Sequence, residues 1–396
     1  MLVNNFGHAV ERFLSKHFVY LGNMSPPVKN YLVNLRSKLS ADITEVPEIL
    51  KPSHLPGLDG LRAISIGIVV AGHALIGTQW VNLFYGRIGV EIFFVISGFI
   101  ITTLLLKEKV RTGRISLRLF YIRRALRIFP VAYLYLLCLI ILNQFTSIHT
   151  TLPMLLGAGL YVGNFPVANN WQTSHFWSLA VEEQFYLVFP FILVSSIRKY
   201  LLVIAFVLVT LPFIVMLSTS PPDTGIIHKG LRTLVYLLGY GTSAILIGSL
   251  TAILLFKGII GSTFKPKRWL TKQLVNWVSI LVFICAWTLD EPNVLNWNLR
   301  IYIFPALIAC VIVLTLKNAD YFSKFLNHPL IVKIGVLSYS IYIWQQLFTQ
   351  DQPWKLPFSP HVALAINMIL LGIVSYASYT LYEKKFLKLK KHFASI

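Results

Sequence analysis

The chain has 396 residues, of which 56% are hydrophobic and 13% charged, and its mean hydropathy is +0.68. A soluble domain carries about 25% charged residues, so a soluble enzyme is excluded in favour of a polytopic helical membrane protein. The formal net charge of +20 reads either as Lys and Arg gathered in cytoplasmic loops or as a surface for an anionic partner.

Residues 1–53 read as a cytoplasmic extension. Phe6, Val10, Phe13 and Leu14 recur at helical spacing with Arg12 and Lys16 opposite. That pattern fits an interfacial helix or one docked on the body, broken by Ser25-Pro26-Pro27. No continuous apolar core marks a cleavable signal peptide.

The apolar blocks that follow have the length needed to cross a hydrocarbon core. They predict an all-α transmembrane bundle of about ten spans, near 61–80, 88–106, 120–143, 176–197, 200–219, 231–256, 274–290, 299–316, 331–350 and 361–382. The piece 152–163 is short and interrupted by Gly157, Gly159 and Gly163. It reads as re-entrant or surface-lying. The outer loop 144–175 is the largest; it fits either sugar contact or a plain solvated loop.

With both termini cytoplasmic, the inner loops hold Lys107, Lys109, Arg111, Arg114 and Arg118, and later Lys257, Lys265, Lys317 and Lys324. The outer loops hold few cations, such as Arg87 and Lys229, together with Asp223, Asp290, Glu291 and Asp351. This asymmetry obeys the positive-inside rule, so most of the charge is topology. The spans sort the chain into an extension 1–53, a transmembrane domain 54–385 and a basic cytoplasmic tail 386–396. Cys138, Cys285 and Cys310 lie inside apolar blocks without metal-like spacing. They read as small hydrophobes, and no metal site is expected.

Ionisable residues inside spans are costly and usually mark function. Arg62 and His73 stand eleven positions apart, about three helical turns, which puts both on one face roughly 16 Å apart along the axis. The segment between them carries no charge. Arg62 falls near the cytoplasmic end of the first span and His73 in its outer half. The alternating direction of the spans brings Glu91, Glu182 and Glu183 to a depth similar to that of His73. Arg123, Arg124 and Arg127 join Arg62 on the cytoplasmic side. An arginine cluster suits phosphates, because guanidinium stays charged and forks onto oxygens. A histidine beside a carboxylate suits proton transfer. Which of Glu182 and Glu183 faces the cavity is open, since neighbours differ by about 100° around a helix. Asp59 precedes Arg62 by three positions. Ser97 and Ser178 are candidates to donate to an oxyanion, although a membrane serine commonly bonds its own helix.

These residues carry a resemblance to a known family. LPGLDGLRAISIGIVVAGHA, RIGVEIFFVISGFIIT, FYIRRALRIFP, FWSLAVEEQFYLVFP and LSYSIYIWQQLF resemble, in order, five motifs of the membrane-bound acyltransferase 3 family. That group includes bacterial O-antigen and Nod-factor acetyltransferases, and the resemblance covers roughly residues 54–385. It implies O-acylation, usually O-acetylation, of a carbohydrate in the bacterial cytoplasmic membrane, with acyl-coenzyme A, usually acetyl-coenzyme A, as the cytoplasmic donor. By similarity, Arg62 and His73 belong to the essential motif, Arg124 and Arg127 form the arginine pair that meets the donor phosphates, and Glu182 aligns with the family's glutamate. Glu182 is then expected to orient or balance His73.

Two departures stand out. Many members have histidine where this chain has Gln345, which removes a titratable group there. The soluble SGNH-type domain fused to some members has no counterpart in this sequence, so direct transfer and transfer through a glycan-assembly partner both stay open. Membrane lipid is an expected partner and nucleic acid is not. The rival classes are a secondary transporter of a glycan precursor or organic anion and a membrane glycosyltransferase.

Overall fold

The computed structural model describes residues 25–78, 80, 85–218, 226–238, 241–260, 277–278, 281–282, 284, 297–317, 321–354 and 357–393. Among them, every regular element is helical. In order they are α1 (Pro26–Ser40), α2 (Pro56–Ala74), α3 (Gly86–Thr112), α4 (Leu117–Phe145), α5 (Leu152–Gly159), α6 (Phe176–Ser195), α7 (Ile197–Ser218), α8 (Ile226–Leu238), α9 (Thr242–Phe256), α10 (Trp297–Lys317), α11 (Pro329–Trp344) and α12 (Pro360–Ala377). The sequence-predicted helix at Phe6–Leu14 and most of the span near 274–290 lie outside the described residues, as does Cys285.

Local chemistry sets the helix ends. Pro56 and Pro329 occupy first-turn positions of α2 and α11, where the missing N–H costs nothing. Ser116 caps α4 by accepting from the Leu119 N–H. Gly113 closes α3 in the left-handed region at φ +74°, with its N–H on the Lys109 carbonyl, a conformation that favours glycine.

Among the described residues, five helical stretches are long and apolar enough to cross a membrane: 86–112, 117–145, 171–195, 197–218 and 360–393. A sixth results if the pair Lys229–Leu238 and Thr242–Phe256, bent by 46°, is one span. By length and composition the chain is therefore a multi-pass membrane protein. The helices at 301–316 and 329–344 are apolar but shorter. Helix α2 carries Asp59, Arg62 and His73 among its 19 residues.

Helix α3 is central, with 72% of its most apolar window buried, against 28% for α7. Helices α4, α6, α7 and α12 turn large side chains such as Leu137, Phe191, Phe213 and Ile369 outward. Outward apolar side chains are what a lipid-facing surface requires, because no water is there to solvate polar ones. Helix α3 packs against α2 and, most extensively, α9, and α2 packs against α11. Glycines let the α3–α9 backbones approach. A Cβ on Gly98 would fall inside contact distance of the Ile245 carbonyl, and one on Gly248 inside that of the Val95 carbonyl.

The loop 146–175 is not a plain solvated connection. The 152–163 piece yields only the eight-residue α5. The chain then turns into the body through the one-turn helix Trp171–Ser174, closed by an Asn170–Thr173 capping box. Gln172, Thr173 and His175 are buried. Trp171 Nε1 donates to the Gln346 carbonyl at 2.9 Å, and Gln346 Nε2 donates back to the Trp171 carbonyl at 3.0 Å. Helix α6 consequently begins inside the protein rather than at its rim.

Candidate functional site: a cationic vestibule leading toward His73

His73 closes the last turn of α2. Its Nδ1 lies 2.8 Å from Oε1 of Gln345, and its ring meets Trp171 edge-on with centroids 5.2 Å apart. An amide oxygen accepts only, so Nδ1 carries the proton and Nε2 keeps its lone pair. The Nε2 edge faces Gly86, where even a Cβ would stand 3.6 Å away. Gln350 Nε2 donates to the His73 carbonyl at 3.2 Å and steadies the helix end.

The glutamates expected beside His73 sit elsewhere. Arg124 reaches Glu183 at 3.1 Å and Glu182 at 3.5 Å, and its guanidinium carbon lies 3.4 Å from the Tyr186 ring centroid. Glu182 as the orienting partner of His73 is therefore corrected: the hydrogen-bond partner is Gln345, and both carboxylates balance a buried arginine. Depth counted from a span's edge misplaced them, because α6 starts below the surface. Glu91 lies 3.4 Å from Arg87, one turn away on α3.

The remaining candidates have distinct surroundings. Asp59 accepts from Arg62 at 3.2 Å and pairs with His54 Nε2 at 2.6 Å. Arg123 bonds Glu108 at 2.8 Å and the Phe393 carbonyl at 2.9 Å. Among the described residues Arg127 makes no ion pair or hydrogen bond, so its charge is uncommitted. Ser178 Oγ is 2.5 Å from the Tyr342 hydroxyl and 3.1 Å from the His175 carbonyl. Ser97 and Glu182 line the same cavity.

Three cavities meet at Arg62 and Arg127. The largest, about 610 Å³, is a vestibule lined by eight cations, including Lys107, Arg111, Arg123 and Lys390, and one carboxylate, Glu108. A second, about 320 Å³, is lined by His54, Asp59, Tyr339 and Glu383. Buried Glu383 accepts from Ser340 and Ser378 in a π-helical segment, Ser378–Glu383, that follows α12. The third is narrow, about 80 Å³, and shares Arg62, Ser97, Arg124 and Arg127 with the vestibule. It extends to Val90, Ser178 and Tyr342. Gly86, which packs on His73, lies one turn of α3 beyond Val90, about 6 Å farther along the axis.

Sequence reasoning singled out Arg62, His73 and the arginines but missed Trp171, His175, Tyr342 and Glu383, and it took Gln345 for a loss. A usable signal was present: adjacent glutamines in the apolar run Ile341–Phe348 need buried partners.

A half-buried arginine without an ion pair among the described residues, connected cavities between helices, and a histidine whose Nε2 makes no hydrogen bond among the described residues form an arrangement suited to an anionic substrate and to proton transfer. The family model for the acyltransferase domain, Acyl_transf_3, matches residues 55–382, and the chain belongs to that family. It is similar to the O-acetyltransferase OatA of Staphylococcus aureus strain NCTC 8325 / PS 47, 29% identical over 381 residues that cover 86% of this chain and 58% of the relative. It is also similar to the putative O-acetyltransferase SACOL0978 of Staphylococcus aureus strain COL, 31% identical over 320 residues, 74% of this chain and 50% of the relative. The chain thus spans a little over half the length of these curated relatives. No solved structure matches it.

Proposed function

We propose that the chain is an integral-membrane O-acyltransferase. It moves an acyl group, acetyl by default, from cytoplasmic acyl-coenzyme A to a hydroxyl of an envelope or extracellular carbohydrate. Family membership and the activity named for the relatives support the reaction class. The observation that carries the site is that the cationic vestibule shares Arg62, Ser97, Arg124 and Arg127 with a narrow cavity reaching Val90, one turn of α3 from Gly86, which packs on His73. The same reading puts about ten spans in a bacterial cytoplasmic membrane with both termini inside, in keeping with the charge asymmetry of the loops.

The donor phosphates meet Arg127, because Arg62, Arg123 and Arg124 beside it already have carboxylate partners. The pantetheine arm follows the narrow cavity past Ser97 and Ser178. His73 Nε2 takes the proton from the acceptor hydroxyl, and that oxygen attacks the thioester carbon. The carbon–sulfur bond breaks, and the departing thiolate receives the proton from the imidazolium. Gln345 keeps Nδ1 protonated throughout. Trp171 beside the ring offers a flat apolar face for a sugar.

The test is purified protein supplied with radiolabelled acetyl-coenzyme A and a glycan acceptor. Label on the glycan, or donor hydrolysis without acceptor, is the expected result. Saturable glycan movement in proteoliposomes without any acyl chemistry would establish the transporter instead. Mass spectrometry of envelope glycans with and without the gene then names acceptor and acyl chain together.

A further inference from the structure

The chamber of about 320 Å³ differs in character from the vestibule. Its lining sets Asp59 and Glu383 against Arg62, Lys107 and Arg127, and much of the rest is apolar, such as Leu58 and Phe99. The apolar part reaches the outer surface of the bundle. Leu104 of α3 and Val336 of α11 line the chamber, yet they are 53% and 40% exposed. Lys107 follows Leu104 by about one turn on α3. Helix α3 has 27 residues and is about 40 Å long, more than the ~30 Å of a hydrocarbon core. Its end therefore stands among headgroups, with Leu104 on the hydrocarbon side of Lys107.

Glu383 supplies a second observation. It is 6% exposed, and Ser340 and Ser378 both donate to the same oxygen, Oε1, at 2.5 and 3.0 Å. Oε2 has no hydrogen-bond or ion-pair partner among the described residues. Glu383 ends the π-helical stretch Ser378–Glu383, a rare geometry that concentrates at functional sites. A buried carboxylate oxygen left open is costly until a cation or an N–H donor meets it. On the cationic side, Lys107 Nζ spends one N–H on the Pro52 carbonyl at 2.9 Å and keeps two. A ligand that answers both groups carries an ammonium and a phosphate a few bonds apart, with an apolar tail at the mouth.

We propose that this chamber binds the headgroup of an aminophospholipid from the surrounding bilayer. The primary ammonium donates to Glu383 Oε2, the phosphodiester meets Lys107, and the acyl chains leave past Leu104 and Val336. A choline headgroup fits less well, because a quaternary ammonium has no N–H for the carboxylate. A glycerol headgroup brings a negative charge and no cation for Glu383. The lipid is a ligand distinct from the substrates of the transfer reaction, and its binding is measurable without any turnover.

The experiment is native mass spectrometry of the full-length protein, delipidated and then titrated with phosphatidylethanolamine, phosphatidylcholine or phosphatidylglycerol of matched acyl chains. The native protein should retain one phosphatidylethanolamine about tenfold more tightly than either other lipid, the size expected for one charge-assisted contact. Glu383→Gln should bring the ethanolamine and choline lipids to equal retention. Lys107→Ala should weaken both and leave their ratio unchanged. Leu104→Trp, at an exposed position where folding is undisturbed, should obstruct the mouth and lower retention of the ethanolamine lipid; thermal melts verify that each variant is folded. Equal retention of ethanolamine and choline lipids by the native protein would overturn the site, as would a preference that survives in Glu383→Gln or native retention in Leu104→Trp. Tighter binding of phosphatidylglycerol would assign the chamber to an anion and reject the zwitterion. Displacement of the lipid by soluble phosphoethanolamine at the same concentration would reject a bilayer ligand. None of these results bears on acyl transfer, which the labelled donor tests separately.

Discussion

Nδ1 of His73, at the end of α2, is hydrogen-bonded to Oε1 of Gln345, 272 positions later, at the end of α11. Gln345 is fully buried, and its own Nε2 has no hydrogen-bond partner among the described residues. A neutral amide holding an imidazole fixes its tautomer without giving it charge. Gln345→Ala should lower kcat about 10- to 100-fold, the cost of a hydrogen bond to a group that becomes charged during reaction. Gln345→Glu should restore the geometry and change the pH profile. A carboxylate at that position stabilises the imidazolium over the neutral ring. A base must be neutral to act, so the acid limb of the rate profile moves to higher pH. An unchanged limb would remove Gln345 from contact with the base.

His73→Ala tests the base itself. A positioned general base contributes about 10²–10⁴-fold, so acyl transfer should fall by that factor. His73 is only partly buried, and membrane insertion and thermal stability should stay near native. Size-exclusion profiles and label-transfer rates read the two effects separately. Native turnover in this variant would refute the mechanism.

Arg124 and Arg127, one turn apart on α4, should behave in opposite ways. Removing Arg124 breaks the ion pairs of both Glu182 and Glu183, and breaking a buried pair costs about 3–5 kcal/mol, less for a partly exposed one. Arg124→Ala should therefore lower folded yield and Tm, with Glu183→Gln partly restoring both. Arg127 has no ion pair to break among the described residues. Arg127→Ala should leave Tm near native and raise the donor KM at least tenfold, as for the loss of a charge-assisted phosphate contact. Donor titrations and thermal melts in detergent decide the matter.

The α3–α9 crossing offers a stability test remote from the chemistry. Gly98→Val or Gly248→Val would push a branched side chain against the opposing backbone. Overpacking of this kind typically costs about 1–3 kcal/mol, and here backbone must move. Both should lower Tm. The two together should cost less than their sum, because one separation of the helices relieves both clashes.

The charge pattern and the apolar blocks make α3, α4, α6, α7 and α12 legible, because each long apolar run is a local property of the chain. The shared helical face of Arg62 and His73 is legible for the same reason. The break between α8 and α9, within what reads as one span over 231–256, leaves no comparable mark in hydropathy. Gln345 illustrates the opposite limit. Its burial is suggested by the apolar residues around it, but nothing within α11 names a histidine on α2 as its partner.

By itself, then, the sequence determined an all-helical membrane chain of the acyltransferase 3 family, with a histidine and an arginine on one helical face and further arginines in the motif that follows. Tertiary structure alone decided how those groups are spent. It assigned Glu182 and Glu183 to Arg124, Gln345 to His73, and left Arg127 without a paired carboxylate among the described residues. The physical reason lies in the path of residues 146–175. Helical periodicity fixes which face a residue occupies, but its depth depends on where the helix begins, and the inward turn at Trp171–His175 starts α6 within the protein. That displacement carries both glutamates to the arginines and leaves the imidazole to a neutral amide.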